Sequence, residues 1–512
     1  MDARIAEALA RLPDYLGNHV LVSVTALALG LALSFPLALA SLRRPALRAL
    51  LLAVTSVVQT IPGLALLALF YPLLLGAAAL SERVLGFGFS ALGFLPAVLA
   101  LALYSMLPVV RNTIAGIMTV DPAIRQAAIG VGMTEGQSLR MVELPLALPV
   151  IMAGVRTASV WVIGTATLST PIGQTSLGNY IFTGLQTQNW VFVLTGCVAA
   201  AVLALAVDQL LALMERGFSV RRKGAVAAGA IGLLLTISLA LVPNLMRGAS
   251  SYVTGAKPFG EQYILAALIA DRLQAKGLSV TRRDGLGSAV ILDALAAGDI
   301  DVYVEYSGTI WANQMRRSDV PPRAEVLKEV AGWLKARHGI ETVGGLGFEN
   351  AYALAMKRER AAQFAVRSIA DLARHAPALS IAGDYEFFGR PEWKAIREAY
   401  GLNFGRERQM QAEFMYPAAA AGEVDVISAY TSDGRVAQFG LQVLDDPKQA
   451  IPPYDAILLV SPKRAKDQAF LDALRPLVDS INVETMREAN RRASEGATPE
   501  AVARWLGERI GR

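Results

Sequence analysis

The side chains with the most suggestive chemistry in this 512-residue sequence are tyrosines that follow short apolar segments in its second half. They lie in the stretches DVYVEYSGT, ENAYALAM, EFMYPAAAAGEVDVISAY and IPPYDA, and are Tyr306, Tyr352, Tyr416, Tyr430 and Tyr454. A quaternary ammonium has no hydrogen to donate, so the negative faces of aromatic rings recognise it best. Tyrosines after several separate strands therefore predict an aromatic box for such a cation. The alternative is that each tyrosine is a core residue with its hydroxyl in water.

Cationic side chains near these tyrosines could bind the other end of a zwitterionic solute. A carboxylate or hydroxyl on such a solute needs a cationic or hydrogen-bond-donating partner. Lys257, in GAKPFGEQ, and Arg390, in EFFGR, are the candidates. Asp433 follows Tyr430 closely in sequence. It is either a solute contact or the cap of a turn, and we favour the turn.

Patterns for catalysis or metal binding give an enzyme little support. The histidines, His19, His338 and His375, are scattered without metal-ligand spacing. The sequence contains neither a G-x-S-x-G elbow nor a G-x-x-x-x-G-K-[ST] phosphate loop. The lone cysteine, Cys197, can form no disulfide within the chain. We therefore expect a binding function with no metal or cofactor on this chain, and ATP hydrolysis, if it is needed, on another polypeptide.

Strands and helices alternate in the second half, which predicts the framework that positions the tyrosines. The stretch SYVTGAKPFGEQYILAALIADRLQAKGLSV reads as strand, loop, helix and strand. Such alternation indicates an α/β domain with a largely parallel sheet, which binds ligands at the carboxyl ends of its strands. We expect residues 249–512 to form two lobes joined by a hinge. The first lobe is predicted at about 251–350 plus 455–512, and the second at about 352–450.

The first half of the chain is apolar and poor in charge. Residues 1–250 hold 15 Lys/Arg and 9 Asp/Glu, against 33 and 34 in the remainder. A bilayer is spanned by about 20 apolar residues. Runs of that order lie at 19–42, 49–75, 84–110, 149–170 (with Arg156 near its start), 189–207 and 225–246. We expect residues 1–248 to form an all-α polytopic membrane domain of about six helices, whose first run is a span rather than a cleavable signal peptide.

Arginine and lysine clusters between these runs predict the orientation in the membrane. The clusters follow the first run (Arg43, Arg44, Arg48), the third (Arg111, Arg125, Arg140) and the fifth (Arg216, Arg221, Arg222, Lys223). All three fall on one side if every run spans, and that side is cytoplasmic by the positive-inside rule. The N-terminus and everything after Arg247 are then outside. The net charge of +5 is thus a topology signal, and no nucleic-acid partner is expected.

The segment 123–145 is mostly polar although apolar runs flank it. Its pattern is Gln126-Ala127-Ala128, three residues, Gly132, nine residues, Val142, then Leu144-Pro145. The pattern resembles the EAA loop of ABC importer permeases, E-A-A-x(3)-G-x(9)-I-x-L-P, with Gln for Glu and Val for Ile. The alanines favour helix, the glycine permits a break, and we expect the proline to end the segment. The alternative is an amphipathic surface helix without a partner.

That resemblance implies a role for the segment and a set of partners. In the family, the loop docks into the ATPase subunit and transmits its motion, so Gln126, Ala127, Ala128, Gly132, Leu144 and Pro145 are the predicted coupling residues. The ATPase would be a separate polypeptide. Because about six helices resemble half a pathway, we expect two permeases to pair as a homodimer.

Residues 253–461 resemble the osmoprotectant-type substrate-binding proteins of ABC importers, the glycine betaine/choline class. The family's G-[SA]-K-x-[FY]-x-E-Q matches GAKPFGEQ at 255–262, and its E-Y-T-G-T matches EYSGT at 305–309. Its A-Y-S-T-D-G-R matches AYTSDGR at 429–435 with the hydroxyl residues exchanged, and its P-P-Y-D-A is present at 452–456. The resemblance implies a type I importer permease fused to a two-lobed periplasmic-binding-protein-like domain.

Carried over position by position, the resemblance implies the binding residues. Tyr306, Tyr352, Tyr416 and Tyr430 would be cage walls, and Lys257, Thr309 and Arg390 would surround the anionic end. Asn350 is a further predicted substrate-binding residue and stands where the family often has an aspartate, and Gly260 replaces a common threonine. These departures leave open a betaine-like solute other than glycine betaine, such as ergothioneine.

The expected function is import of a quaternary-ammonium or betaine-like compatible solute across the inner membrane by a multi-pass subunit. A membrane-anchored solute sensor is a second hypothesis, although a sensor needs no segment like 123–145. A channel is a third, and the fused binding domain argues against it.

Overall fold

The computed structural model describes residues 3–86, 89–186, 189–246, 252–317, 319–384 and 386–511. The chain forms two compact units, drawn essentially from its first and second halves. The first is helical, and the second contains helices and two β-sheets.

The first unit consists of ten α-helices among its described residues. They are α1 (Ala3–Ser41), α2 (Pro45–Thr60), α3 (Gly63–Leu85), α4 (Phe94–Met118), α5 (Pro122–Gly130), α6 (Glu135–Ser138), α7 (Leu144–Ala166), α8 (Gly178–Gln186), α9 (Trp190–Ser219) and α10 (Lys223–Met246). Within the described ranges, six segments are long and apolar enough to cross a membrane: Arg4–Ser41, Gly63–Leu85, Phe94–Met118, Glu135–Ile172, Trp190–Ser219 and Lys223–Val242. The expected number of spans is therefore confirmed by length and composition.

Helix α4 lies at the centre of this unit and packs against α1 and α7. Small residues let the helices approach closely, as is common where apolar helices associate in lipid. A Cβ at Gly154 of α7 would lie 2.7 Å from the carbonyl oxygen of Pro108 in α4. On the outer helices, large apolar side chains such as Leu205 and Leu239 remain exposed, as lipid-facing side chains do.

The apolar run at 49–75 is not one helix, which corrects the sequence prediction. It is divided between α2 and α3 at Ile61, which has φ −72° and ψ 126° and caps α2 in an extended conformation. The cause is Pro62, because a residue before proline is pushed out of the helical region. The next expected run, 84–110, is likewise displaced, and its helix is α4 at Phe94–Met118.

Arg156 forms an ion-pair triad with two carboxylates of the neighbouring helix. Its Nε and Nη2 donate to Asp208 Oδ1 at 2.9 Å and Oδ2 at 3.0 Å, and its Nη1 donates to Glu215 Oε2 at 2.7 Å. Asp208 and Glu215 are two helical turns apart on α9, so they present one face to α7. The arginine that interrupts the fourth apolar run thus holds α7 to α9.

We expect Arg156→Met to destabilise the helical unit, because two carboxylates then remain without a cation between apolar helices. Because the three side chains are 20–29% exposed, the cost should be about 1–3 kcal/mol, measurable as a lower melting temperature in detergent. The triple variant Arg156→Met/Asp208→Asn/Glu215→Gln removes all three charges and should regain most of that loss. A single variant as stable as the parent would contradict the role of the triad.

Among the residues that the structure describes, the second unit contains α-helices and ten strands. The helices are α11 (Gly260–Ala275), α12 (Ser288–Ala297), α13 (Ser307–Thr309), α14 (Arg323–His338), α15 (Arg358–Gln363), α16 (Ile369–Ala373), α17 (Pro391–Tyr400), α18 (Ala412–Ala421), α19 (Arg435–Gln438), α20 (Gln468–Leu474), α21 (Val483–Ser494) and α22 (Pro499–Ile510). The strands are β1 (Tyr252–Ala256), β2 (Val280–Asp284), β3 (Val302–Tyr306), β4 (Glu341–Glu349), β5 (Tyr352–Lys357), β6 (Ser380–Gly383), β7 (Arg406–Gln409), β8 (Val426–Tyr430), β9 (Leu441–Val443) and β10 (Asp455–Val460).

The strands form two five-stranded sheets, each the centre of one lobe. Their orders are β2-β1-β3-β10-β4 and β7-β6-β8-β5-β9. In the first sheet β1 runs parallel to β2 and β3, whereas β10 runs antiparallel to β3 and β4. In the second, β6 runs parallel to β7 and β8, whereas β5 runs antiparallel to β8 and β9. Four of the five strands in each sheet therefore run in the same direction, which confirms the expected largely parallel arrangement. One strand in each sheet, β10 or β5, runs against the others, because it enters after a crossing between lobes rather than through a βαβ unit.

This topology brings the predicted tyrosines to strand ends near the crossings. Tyr306 is the last residue of β3 and Tyr430 the last of β8. Tyr352 is the first residue of β5 and pairs directly with Tyr430, because β5 runs in the opposite direction. The two crossings also contact each other, since the N–H of Asn350 donates to the carbonyl oxygen of Tyr454 at 2.9 Å.

Candidate functional site

Three of the predicted cage tyrosines lie in one aromatic cluster. The rings of Tyr352 and Tyr430 are 4.8 Å apart between centroids, and the Tyr430 hydroxyl donates to the Tyr352 hydroxyl at 3.2 Å. Tyr306 joins them through Phe259, whose ring lies 6.2 Å from that of Tyr306 and 6.4 Å from that of Tyr430. Tyr454 completes the cluster, edge-on to Tyr352 at 5.9 Å. The cluster thus joins aromatic residues from both lobes.

Phe259 is a cluster residue that the sequence reasoning did not single out. Its ring is parallel to that of Tyr430 within 6°, although the two residues belong to different lobes. The available signal was the motif GAKPFGEQ, in which the family pattern requires an aromatic residue at this position. A phenylalanine offers an aromatic face but no hydroxyl. This suits a quaternary ammonium, because that cation forms no hydrogen bonds and is recognised by ring faces.

Arg390 lies against the cluster, as a partner for an anionic group would. Its guanidinium carbon is 5.2 Å from the centroid of the Tyr352 ring. It forms an ion pair with Glu386 on the surface and lies 4.0 Å from Glu392 Oε1. Its Nε is buried and has no hydrogen-bond partner in the part of the chain that the structure describes. Arg390 therefore combines a charge, a fixed position and an unused donor.

Lys257 is held differently from Arg390, although both were predicted for the anionic end. Its ammonium forms an ion pair with Glu305, and both side chains are buried, with 3% and 1% exposed. Its nitrogen also lies 5.6 Å from the centroid of the Tyr306 ring. Glu305 in turn accepts a hydrogen bond from the Tyr303 hydroxyl at 3.0 Å. The positive charge of Lys257 is thus compensated within the first lobe.

We expect Lys257→Met to destabilise the α/β unit, because Glu305 is left buried without its cation. The loss should be about 3 kcal/mol or more in free energy of unfolding, measured by urea titration with tryptophan fluorescence. The double variant Lys257→Met/Glu305→Gln carries no unpaired charge and should recover most of it. If the single variant is stable but binds no solute, Lys257 contacts the solute directly.

Tyr416 and Thr309, two further predicted site residues, are not among the residues whose rings form the aromatic cluster. Tyr416 is fully buried in the second lobe, where its hydroxyl donates to Asp433 Oδ2 at 2.7 Å and Arg435 lies over its ring. Thr309, 7% exposed, follows Gly308, where a Cβ would lie 2.4 Å from the ring of Tyr454. Thr309 is therefore adjacent to the cluster through its neighbour.

Asp433 caps the turn after β8, as we expected. Its Oδ1 accepts from the N–H of Arg435 at 2.9 Å, and the Arg435 side chain pairs with the same carboxylate. Burial by itself would raise the pKa of Asp433, but the charge and hydrogen bonds of Arg435 outweigh it, so the pKa lies below its ordinary value. Asp433 is thus ionised at neutral pH, and its carboxylate is hydrogen-bonded to residues of its own lobe.

A carboxylate lies near the aromatic cluster although position 350 is an asparagine. Asn350 Nδ2 donates to Oε1 of Glu261 at 3.0 Å, and Glu261 is 4% exposed. Burial raises the pKa of Glu261, while hydrogen bonds from Ser432, Tyr306 and Asn490 oppose that shift. The sequence reasoning missed this group, although Glu261 lies inside the motif GAKPFGEQ.

The predicted coupling segment is a helix, a turn and a second helix. Asp121 caps α5 by accepting from the N–H of Ala123, and the side chains of Thr134 and Gln137 form a capping box at α6. Gly132 lies between them with φ 88° in open space, a backbone conformation that favours glycine. Of the predicted residues, Gln126 and Ala127 are exposed, Ala128 is buried, Leu144 is half-buried and Pro145 is exposed.

Pro145 does not end the segment, contrary to the sequence prediction. The chain continues from α6 through a π-helical turn, Leu139–Glu143, directly into α7. Pro145 lies in the first turn of α7, where its missing N–H costs little. The N–H of Leu144 reaches back to the carbonyl oxygen of Leu139, so the wider turn absorbs the interruption. The coupling segment is therefore continuous with a membrane-spanning helix.

An ion pair that the sequence reasoning missed braces this segment. Arg125 of α5 donates to Glu143 Oε2 at 2.9 Å, and Ser138 Oγ donates to Glu143 Oε1 at 3.0 Å. Large apolar side chains on and after α5 nevertheless remain exposed, with Ile129 at 52% and Val131 at 77%. The segment thus combines internal bracing with an apolar outer face.

Comparisons with known proteins match both halves of the chain. Residues 30–220 match the family described as binding-protein-dependent transport system inner membrane component. Residues 250–508 match the family described as substrate binding domain of ABC-type glycine betaine transport system.

Relatives of known function match one half or both. The ergothioneine transport permease/ergothioneine binding protein EgtU of Helicobacter pylori strain G27 is 31% identical over 486 residues, covering 91% of this chain and 84% of that protein. The glycine betaine/carnitine/choline transport system permease protein OpuCB of Bacillus subtilis strain 168 is 38% identical over 200 residues, covering 39% and 85%. A glycine-betaine-binding protein of Pseudomonas aeruginosa is 35% identical over 271 residues, covering 49% and 84%.

Proposed function

This chain belongs to the ABC importers of the glycine betaine class, with a permease and a substrate-binding domain in one polypeptide, and from that premise we propose how its parts act. The permease half makes it a multi-pass protein of the inner membrane. We propose that the α/β unit lies outside the membrane and traps a betaine-like solute between its lobes. The observation that carries this proposal is the aromatic cluster, which joins residues of both lobes beside Arg390.

The cluster and Arg390 supply the two contacts that a betaine-like solute needs. The ring faces of Phe259, Tyr306, Tyr352 and Tyr430 hold the trimethylammonium group, each worth about 0.5–2 kcal/mol when water is excluded. Arg390 binds the carboxylate, with Nε as a donor that has no other partner among the described residues. Because these residues come from both lobes, closure completes the site.

The permease half supplies the proposed link to ATP. A separate ATPase subunit binds the segment 123–145, and the apolar side chains of Ile129 and Val131 face it. Since α6 and the π-helical turn continue into α7, motion of the segment moves a membrane-spanning helix. Two copies of the chain pair to form the pathway. No cofactor is proposed on this chain, and ATP is used by the partner subunit.

Ergothioneine is a second candidate solute. It is a trimethylammonium betaine that also carries a thione ring, so the same cation and carboxylate contacts serve it. The specific observation in its favour is that the relative EgtU matches this chain across both domains over 486 residues.

The test is calorimetry of the full-length chain in lipid nanodiscs with five solutes: glycine betaine, choline, proline betaine, carnitine and ergothioneine. Binding of one of them at micromolar or lower concentration supports the proposal and selects the solute. Preference for choline over the carboxylated solutes would remove Arg390 from the proposed site. Absence of binding by all five would overturn the assignment of solute class.

A further inference from the structure

Glu261 is a buried carboxylate beside the aromatic cluster that accepts four hydrogen bonds. Its Oε1 accepts from the Tyr306 hydroxyl at 2.5 Å and from Asn350 Nδ2 at 3.0 Å. Its Oε2 accepts from Ser432 Oγ at 2.6 Å and from Asn490 Nδ2 at 2.6 Å. A carboxylate has about four lone-pair sites. Glu261 therefore has no acceptor site left for a solute, and its role must be exerted through these four partners.

The four donors come from both lobes and from the crossing between them. Tyr306 ends β3, and Asn490 lies on α21, so both belong with the first sheet. Ser432 follows β8 of the second sheet, and Asn350 lies between β4 and β5, where the chain crosses. One carboxylate thus joins a residue of the aromatic cluster to residues on either side of the boundary between the lobes.

The loop 431–434 and helix α21 form a tight contact around Glu261, which we term the lobe seam. Asn490 Nδ2 also donates to the carbonyl oxygen of Ser432 at 2.8 Å, and Arg487 Nε donates to that of Thr431 at 2.9 Å. A Cβ at Gly434 would lie 2.4 Å from the backbone nitrogen of Arg491. Only a residue without a side chain fits there, so the seam is a specific, closely packed arrangement.

We infer that Glu261 is a positioning residue that couples the Tyr306 ring to closure of the lobe seam. The carboxylate fixes Tyr306 through its hydroxyl and, with its other oxygen, holds Ser432 of the opposite lobe. A solute that orders Tyr306 thereby favours the closed seam, and the closed seam favours the ordered ring, as linkage requires. This inference rests on the proposed function only in assuming that the solute contacts Tyr306.

The lobe seam can be tested without any solute by measuring the spacing of the lobes. Spin labels go on Lys328→Cys and Glu398→Cys, exposed positions on α14 and α17, in the full-length chain carrying Cys197→Ser. We expect one narrow distance distribution in the parent and a broader or longer one in Glu261→Gln and in Ser432→Ala. The matched control is Asp425→Asn, which changes a carboxylate that pairs with Arg360 and accepts from Ser380 within the second lobe, and it should leave the spacing unchanged. A Glu261→Gln distribution identical to the parent's overturns the inference.

Binding kinetics with ergothioneine and glycine betaine test the coupling to the cluster. Glu261→Gln should raise the dissociation rate constant by about tenfold or more and leave the association rate constant within about threefold, because a closed seam slows escape rather than entry. Combining it with Ser432→Ala should add no more than about threefold, since both changes break the same contact. Effects that multiply overturn the inference. If neither solute binds the parent, the proposed function fails for these solutes, and the lobe spacing alone decides the role of Glu261.

Discussion

Tyr430→Ala should weaken solute binding by about 30-fold or more, equivalent to about 2 kcal/mol. The Tyr430 ring contacts Tyr352 within its own lobe and Phe259 of the other lobe. Its loss therefore removes a face for the trimethylammonium group and a contact between the lobes. Calorimetry of the full-length chain with the solute that binds the parent most tightly gives the measurement.

Tyr430→Phe is the matched control, because it keeps the ring and removes only the hydroxyl. That hydroxyl lies within hydrogen-bond distance of the Tyr352 hydroxyl, at 3.2 Å, and of Asp384 Oδ2, at 3.3 Å, so a loss within about fivefold is expected. If phenylalanine is as damaging as alanine, the hydroxyl rather than the ring face recognises the solute. Unchanged binding by the alanine variant would exclude Tyr430 from the site.

Ile129→Asp combined with Val131→Asp should reduce uptake to about a tenth or less of the parental rate while solute binding is retained. Both side chains are apolar and exposed on the coupling segment, and a charge on each would have to be desolvated in the contact with the ATPase. A loss of 2 kcal/mol or more in that contact lowers its affinity by about 30-fold. Uptake is measured in proteoliposomes, and binding by calorimetry.

The control is Val220→Asp, which places one such negative charge on an exposed valine beyond α9. Val220 is 63% exposed and lies beside the cluster Arg221–Lys223, predicted to face the same side of the membrane. This variant should transport normally. Equal loss of uptake in both variants would mean that charge anywhere on this side is harmful, and full uptake in the double variant would remove α5 from the ATPase contact.

Features fixed by neighbouring residues could be predicted from the sequence. Tyr306 and Tyr430 end strands that the apolar pattern makes recognisable, so their convergence with Tyr352 followed from the architecture alone. Gly132 lies at the break between α5 and α6 with φ 88°, as its place in the pattern indicated. In each case, local spacing and general rules of topology were sufficient.

Features that depend on distant partners could not be predicted in this way. Glu261 meets Ser432 and Asn490 across 171 and 229 residues of chain, and no local pattern indicates that these residues converge. The predicted end at Pro145 was wrong for a related reason: hydropathy gives the extent of a run, whereas a π-helical turn depends on backbone hydrogen bonding. The division of the run 49–75 at Pro62 could have been predicted, because a residue before proline leaves the helical region.

The interrupted order of the sheets has a consequence for biogenesis. All strands of the second sheet come from one continuous stretch, Tyr352–Val443, whereas the first sheet needs β10, which lies between β3 and β4. As the chain emerges from the ribosome, β3 and β4 are made before β10, so the strand edges that β10 later covers stay unpaired. Unpaired strand edges can pair with the wrong strands. The second lobe can fold completely in that interval. The lobe that begins first in the sequence is thus the one that finishes folding last.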